Sequence, residues 1–321
     1  MTILESRINP QDDTFKANRE GMFDAINALR AVESSVIATE EKARAKYHKR
    51  GQMLPRERVH LLLDRGSPFM ELSTLCGYKM HDDKDGSLAG GNTIAGIGYV
   101  EGVRCLIVAS NSAIKGGTMT PFGVQKTLRL QEIALQQKLP VISLIESGGA
   151  NLMYQAELFI PGGKTFANQA RLSAAGIPQV TVVHGSSTAG GAYMPGLSDY
   201  VVMVRKKAKV FLAGPPLLLA ATGEVAIDED LGGAEMHTQQ AGTAEFLAES
   251  DADGIRLARE IVRGLHWNAD KPEVPRLVAK APRYDIDELC GVVSSDYRKP
   301  FDCREVIARL VDDSEFLEFK S

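Results

Sequence analysis

Two stretches of this chain hold residue types that could do chemistry, and both are turns built of small residues. Val141-Ile142-Ser143-Leu144-Ile145-Glu146 runs into Ser147-Gly148-Gly149-Ala150, and Val180-Thr181-Val182-Val183-His184 runs, past Gly185-Ser186, into Ser187-Thr188-Ala189-Gly190-Gly191-Ala192-Tyr193. A short β-rich apolar run predicts a buried strand. Consecutive glycines behind it remove Cβ atoms, so backbone N–H groups can close on a ligand atom. Where a helix begins there, those amides lack intrahelical acceptors and form a partly positive end. The chemistry on offer is stabilisation of an oxyanion, at the strand carboxyl ends where α/β sheets bind ligands.

Side chains for other chemistries are scarce around these turns. Ser147 lies in Glu146-Ser147-Gly148 and Ser186 follows Gly185 without a second glycine, so neither is a GxSxG elbow, and no GxxxxGK[ST] loop is present. His184, where strand meets turn, is read as a structural histidine ahead of a general base, and His237 carries no stronger claim. Asp82, Asp83 and Asp85 share a glycine-bearing loop that lacks the EF-hand spacing, which favours an exposed loop over a calcium site. Cys76, Cys105, Cys290 and Cys303 show no CxxC or zinc spacing and are read as reduced thiols. Backbone donors are plentiful; acids, bases and nucleophiles are not. That suits a reaction whose base arrives on the substrate or a cofactor.

The elements that must position these turns follow from periodicity and punctuation. Met22, Ile26, Leu29, Val32 and Val36 predict an interrupted amphipathic helix from Thr14 to about Arg50. Pro55 opens a short helix, Arg56 to Leu63, and a strand follows from Phe69. Ile94 to Val100 and Arg104 to Ala109 predict a hairpin around Glu101-Gly102. Thr120-Pro121 caps a helix that stops before Pro140, and the strand at Val141, a helix from about Lys164 to Ala175 and the strand at Val180 form a βαβ-type unit. A further helix from about Ala189 leads to a strand at Tyr200, and a last helix, marked by Ile255, Ala258, Ile261, Val262 and Leu265, ends near Trp267. Pro272, Pro275 and Pro282 then mark a linker.

Bulk properties narrow the class. With 321 residues, 44% of them hydrophobic and 24% charged, the chain can bury a core. Its net charge of -4 argues against a nucleic-acid protein, and no apolar run reaches the roughly 18 residues of a membrane span. The expected setting is the bacterial cytoplasm. An internal echo also appears: at the offset pairing Phe69 with Phe316, Val59 falls on Val306, Leu63 on Leu310 and Ser67 on Ser314. Met70 then falls on Leu317, Glu71 on Glu318 and Leu72 on Phe319. The expectation drawn is a first domain over 1–268, a linker over 269–284 and the start of a second, duplicated domain over 285–321.

The turns, with Phe211-Leu212-Ala213-Gly214-Pro215-Pro216, Ala221-Thr222-Gly223-Glu224, Leu231-Gly232-Gly233-Ala234 and Gly96-Ile97-Gly98-Tyr99-Val100, resemble the biotin-dependent acyl-CoA carboxylases. The likeness is to the N-terminal carboxyltransferase domain of the β subunit, and it covers nearly the whole chain. It implies an α/β, crotonase-like ββα superhelix, with Gly148 and Gly149 as the oxyanion hole for the acyl-CoA carbonyl and Gly190 and Gly191 as a supporting turn. Ser147, Ala150, Gly162, Gly163, Ala192 and Tyr193 would line the substrate site, with Lys115, Arg56 and the basic stretch before Arg50 as candidates for the CoA phosphates. It further implies carboxybiotin on a partner α subunit as cofactor, no metal, a ureido anion as the base, and a homo-oligomer of β subunits that share active sites. The isolated chain is therefore expected to be inactive.

Within the family the details resemble methylcrotonyl-CoA and geranyl-CoA carboxylases. Methylcrotonyl enzymes carry a longer insertion and a bulky Phe where this chain has Gly162 in Phe159-Ile160-Pro161-Gly162-Gly163-Lys164-Thr165-Phe166. Losing that ring would clear volume for extra isoprenoid carbons, so geranyl-CoA is the expected substrate and methylcrotonyl-CoA the alternative. A crotonase-type hydratase would need glutamates where this chain has Tyr193 and Gly214-Pro215-Pro216, and a non-catalytic CoA-binding scaffold is the remaining reading.

Overall fold

A computed structural model describes residues 2–267 and 279–316. The chain divides into two units, Met1–Val32 with Asp270–Ser321, and Glu33–Ala269. In the first, strand β1 (Thr2–Ile3) pairs antiparallel with Glu315–Phe316. The first part of helix α1 (Asp13–Glu41) presents Phe15, whose ring leaves no room for a Cβ on Gly291. Arg309, buried, holds this unit through Glu288 at 2.7 Å, Glu305 at 2.9 Å and Ser6 at 3.1 Å. The short helix before the terminal strand, Cys303–Ala308, falls opposite Pro55–Leu62 at the offset noted above. The pairings on Leu317, Glu318 and Phe319, and much of the expected linker, lie outside the described residues. The structure thus groups the earliest residues of the chain with its latest ones.

The larger unit opens with the later part of α1, then α2 (Arg44–Lys49) and α3 (Pro55–Leu62); the interruption expected in the first helix falls between Glu41 and Arg44. Strand β2 is only Met70–Glu71. The hairpin forms as β3 (Thr93–Val100) and β4 (Val103–Ser110), in register from Thr93↔Ser110 to Val100↔Val103. Glu101 and Gly102, at φ 51° and 74°, supply the two left-handed residues of a tight hairpin turn. Helix α4 (Pro121–Gln137) begins at Thr120, whose side chain accepts from Gly123 N. Strand β5 (Val141–Ser147), helix α5 (Gln155–Ala174) and strand β6 (Gln179–Thr188) follow, with β5 and β6 parallel.

Helix α6 (Tyr193–Gly196), strands β7 (Tyr200–Val204) and β8 (Lys209–Phe211), and helices α7 (Pro215–Thr222) and α8 (Asp228–Gly232) lead to strand β9 (Phe246–Ala248) and helix α9 (Asp251–Gly264). The sheet order is β2-β3-β4-β5-β6-β7-β9, with β8 added beside β6. The strands alternate between two cores. Ile107, Ile142, Val180 and Val202 face Val59, Leu62, Ile255 and Val262 from α3 and α9, while Leu106 and Val141 face Leu130, Ala134 and Leu172 from α4 and α5. Helices therefore cover both faces, which is why the parallel strands read as nearly continuous apolar runs.

Two expectations are corrected. Helix α5 begins at Gln155, not near Lys164, because Pro161-Gly162-Gly163, which reads as a break, is carried inside the helix. Proline there forgoes the bond its N–H would have made to Glu157 O, and its ring crowds that carbonyl. The helix expected from Ala189 is a 3-10 turn, Ala189–Ala192, and the single turn of α6, whose own last residues are Pro195 and Gly196. Among the described residues, no helix is long and apolar enough to cross a membrane.

Candidate active site

The two glycine turns lie side by side because their strands are neighbours in the sheet. β5 and β6 run in register from Val141↔Gln179 to Ile145↔Val183, then shift so that Ser147 faces Ser187. The shift makes His184-Gly185-Ser186 a bulge opposite Glu146 alone. Beyond it, a Cβ placed on Gly149 would lie 3.9 Å from Thr188 O, so the two turns all but touch. A cavity of about 60 Å3 opens between the strand ends, lined by Ser110, Met119, Ser143, Ser147, Ser187 and Gly191 among others. It is well below the roughly 300–1,000 Å3 of a small-molecule site. Ser147 and Gly191 bring the two turns to its wall, whereas Gly149 and Ala150 are not part of its lining.

The amides of the first turn are not equivalent. Gly148 N–H donates to Gly116 O at 2.9 Å, which ties the turn to the Lys115–Gly117 segment. Gly149, at φ 87°, donates to Ser147 Oγ at 3.1 Å, and Ser147 Oγ donates in turn to Gly117 O at 3.1 Å. Met119 N–H donates to Gly149 O and Asn151 N–H donates to Met119 O, a parallel bridge centred on Ala150. That pattern uses the groups flanking Ala150 and turns its own N–H away from Met119. Ala150 N–H meets no acceptor among the described residues. In the second turn, Ala189 and Gly190 open the 3-10 helix, where no intrahelical acceptor precedes them. Ala189 takes φ 52°, an uncommon left-handed conformation for a residue with a Cβ. Gly191 O accepts from Ser187 Oγ at 3.0 Å.

The other expected residues divide into two groups. Gly162 and Gly163 lie within α5, and a Cβ on either would meet nothing within 4 Å. One turn further along the same helix face, Phe166 packs on Tyr193 with ring centroids 5.0 Å apart and approaches Gly190. Ala192 and Tyr193 continue into an apolar groove of about 300 Å3 lined also by Pro195, Leu197, Phe211 and Leu212. Gly162, Gly190, Ala192 and Tyr193 thus belong to one region. Lys115 and Arg56 are committed elsewhere: Lys115 Nζ pairs with Asp82 at 2.9 Å, and Arg56 grips Glu71 at 2.8 and 3.0 Å.

In the acidic loop, buried Asp83 accepts Lys79 N–H and Leu88 N–H at 2.9 and 3.0 Å, while Asp82 accepts from the Tyr154 hydroxyl at 2.7 Å as well as from Lys115. The four cysteines are unpaired.

The sequence reading missed a buried polar cluster directly behind the first turn. Arg58, 1% exposed, donates through Nη1 to Glu146 Oε2 at 2.8 Å, and its Nε lies 3.0 Å from Asp251 Oδ2. Asp251 Oδ1 accepts from His184 Nδ1–H at 2.9 Å; His184 is fully buried and its Nε2 meets no partner among the described residues. Burial and the Arg58 charge lower the His184 pKa against the opposing pull of Asp251, which favours the neutral ring. Burial alone would raise the Asp251 pKa, but the hydrogen bond from His184 and the Arg58 charge bring it down to about 2. A single acidic residue before a glycine turn was the only signal in the sequence, since its partners come from α3 and α9. His237, by contrast, is fixed by Val210 O at 2.7 Å and by Thr243.

Known proteins resemble this chain in sequence and in fold. The sequence matches the carboxyl transferase domain family over residues 46–321. A Mycobacterium tuberculosis protein named "Probable biotin-dependent acyl-coenzyme A carboxylase beta2 subunit" is 49% identical over 99% of this chain and 59% of its own length. The methylcrotonoyl-CoA carboxylase β chain of Dictyostelium discoideum is 45% identical over 99% of this chain and 54% of its own. Among solved structures, the β subunit of P. aeruginosa geranyl-CoA carboxylase superposes with a TM-score of 0.91 at 60% identity, over 99% of this chain and 59% of that one. The chain therefore spans a little over half the length of the relatives it matches. From residue 46 onward it is a carboxyl transferase domain, and the chain belongs to that family.

Proposed function

We propose that this chain supplies the acyl-CoA side of the active site in the β subunit of a biotin-dependent acyl-CoA carboxylase, with geranyl-CoA as substrate. The observation that carries the reading is the pair of abutting amide turns, one of which presents the unpaired Ala150 N–H. The donor set suits carboxybiotin, because the turns contain backbone amides and no titratable side chain except Tyr193 beyond them. Docked from a biotin-bearing α subunit, that group supplies the carboxyl group and the base.

The residues of this chain do the rest. Gly148, held by Gly116 O, sets the path of the turn. Ala150 presents its N–H group to the thioester oxygen as its negative charge grows, and Gly149 joins it by exchanging its 3.1 Å bond to the neutral Ser147 Oγ for a stronger, charge-assisted one to the oxyanion. Gly190 and Gly191 bring the second helix start beside it. The acyl chain runs past Phe166 and Tyr193, where Gly162 leaves space. Lys115 is free to meet a CoA phosphate once it releases Asp82, since a half-exposed ion pair is worth about 1 kcal/mol or less. Beyond the α subunit we propose a homo-oligomer of β subunits in the bacterial cytoplasm.

Methylcrotonyl-CoA is the second reading, favoured by the names of relatives at 42–45% identity. The deciding experiment assembles the full-length β chain with its biotin-bearing partner and measures ATP- and bicarbonate-dependent carboxylation of both thioesters. A higher kcat/KM for geranyl-CoA supports the reading. A preference for methylcrotonyl-CoA overturns the substrate, and hydration of crotonyl-CoA without carboxylation overturns the reaction.

A further inference from the structure

The buried cluster behind the first turn is an expensive way to hold a fold together. Ion pairs in an interior recover little more than their desolvation cost, and apolar side chains of similar volume often serve stability as well. Its placement points to another use. Glu146 is the residue immediately before Ser147-Gly148-Gly149-Ala150, and elements far apart in sequence converge on its carboxylate. Arg58 Nη1 from α3 donates to Oε2 at 2.8 Å, Ser112 Oγ–H donates to the same oxygen at 3.0 Å, and Gln52 Nε2 reaches Oε1 at 3.4 Å.

Each donor is itself held. Arg58 is oriented by Asp251 at the start of α9, whose Oδ2 also accepts Met53 N–H at 2.7 Å, and Ser112 Oγ accepts from the Tyr47 hydroxyl at 2.7 Å. The side chain of Glu146 fills the space beside the β6 bulge so tightly that a Cβ on Gly185 would lie 2.6 Å from its Cγ. Its carbonyl oxygen abuts Gly117, where a Cβ would come within 2.5 Å. Both ends of the residue are therefore fixed at the point where the strand becomes the amide turn.

We propose that Glu146 is a positioning residue, clamped by Arg58 and Ser112 so that the Gly149 and Ala150 amides point where the thioester oxygen gains charge. The inference rests on the function proposed above. An oxyanion donor works only within about 2.7–3.1 Å of the oxygen it serves, and a displacement of roughly 1 Å can cost about 100-fold in rate. Releasing the clamp swings the turn about Glu146 while leaving the CoA contacts, and the fold, in place.

The test uses the full-length β chain assembled with its biotin-bearing partner. Glu146→Gln keeps the side-chain shape and leaves Arg58 its second carboxylate, and Ser112→Ala removes one neutral donor without disturbing any charge. Turnover of acyl-CoA is measured beside binding of a CoA thioether that lacks the carbonyl oxygen. We expect kcat to fall about 10- to 100-fold in Glu146→Gln and about 3- to 10-fold in Ser112→Ala. KM and thioether affinity stay within about threefold, and Glu146→Asp recovers part of the Glu146→Gln loss. A kcat unchanged from the parent, or thioether affinity lost in step with turnover, overturns the positioning role while leaving the parent's carboxylase activity standing. An unmodified enzyme that carboxylates no acyl-CoA overturns the functional reading and this role together.

Discussion

Replacing Gly162 by Phe tests the substrate assignment at one residue. The position lies inside α5, and a Cβ there meets nothing within 4 Å. The new ring enters space beside Phe166, which already packs on Tyr193 next to the second turn. Helix stability is not at risk, because Phe is a better helix former than Gly by roughly half a kcal/mol. The geranyl chain exceeds methylcrotonyl by one isoprene unit of about five carbons. At about 0.8 kcal/mol per buried carbon the full exclusion of that unit forfeits about 4 kcal/mol, close to 1,000-fold. Some of the unit remains in contact with the groove below Tyr193, so the expected loss in kcat/KM for geranyl-CoA is about 100-fold, while methylcrotonyl-CoA changes by less than about threefold. Carboxylation by the assembled full-length enzyme, with each thioester varied in turn, reads the result directly. If geranyl-CoA turnover survives the ring, or both substrates suffer equally, the isoprene unit does not lie along the Gly162 face and the argument fails.

Two further expectations concern the turn and the cluster behind it. Gly149→Ala meets no atom closer than 3.9 Å, yet places a Cβ on a residue at φ 87° and so costs about 1–2 kcal/mol in backbone strain. The expected outcome is a lower melting temperature together with a kcat loss of about 10-fold or more; an unaltered kcat in folded protein would remove Gly149 from the oxyanion site. His184 has a depressed pKa in the folded state, so its contribution is present above the unfolded value near 6.5 and is lost as pH falls toward the folded one. Asp251 follows at lower pH, with its share present above 3.8 and lost as pH falls through about 2. Urea unfolding between pH 7 and pH 5 should therefore show a slope of up to about 1.4 kcal/mol per pH unit that is missing in His184→Asn. An identical slope in the variant would mean that other groups carry it.

How much of this was legible in the sequence depends on the range over which each signal acts. The strands around Val141 and Val180, the capped helix at Thr120 and the hairpin at Glu101-Gly102 were readable because periodicity, caps and turn residues act within a few positions. The start of α5 was not, because Pro161-Gly162-Gly163 carries every local mark of a break. The helix runs through them with Leu158, Thr165 and Leu172 buried, so tertiary burial overrides a weak local preference.

The site shows the same division more sharply. That Ser147 to Ala150 and Ala189 to Ala192 form turns is a local fact. Which amide remains unpaired is not, because Gly148 loses its donor to Gly116 O and the bridge at Ala150 is made by Met119, roughly thirty residues earlier. The clamp on Glu146 goes further still, drawing on Tyr47, Arg58, Ser112 and Asp251, none of which forms a motif with another in sequence. Residue types at fixed spacing announce where a backbone can approach a ligand. The direction in which its N–H groups point is decided by distant side chains, and aim rather than approach separates an oxyanion hole from an ordinary glycine turn.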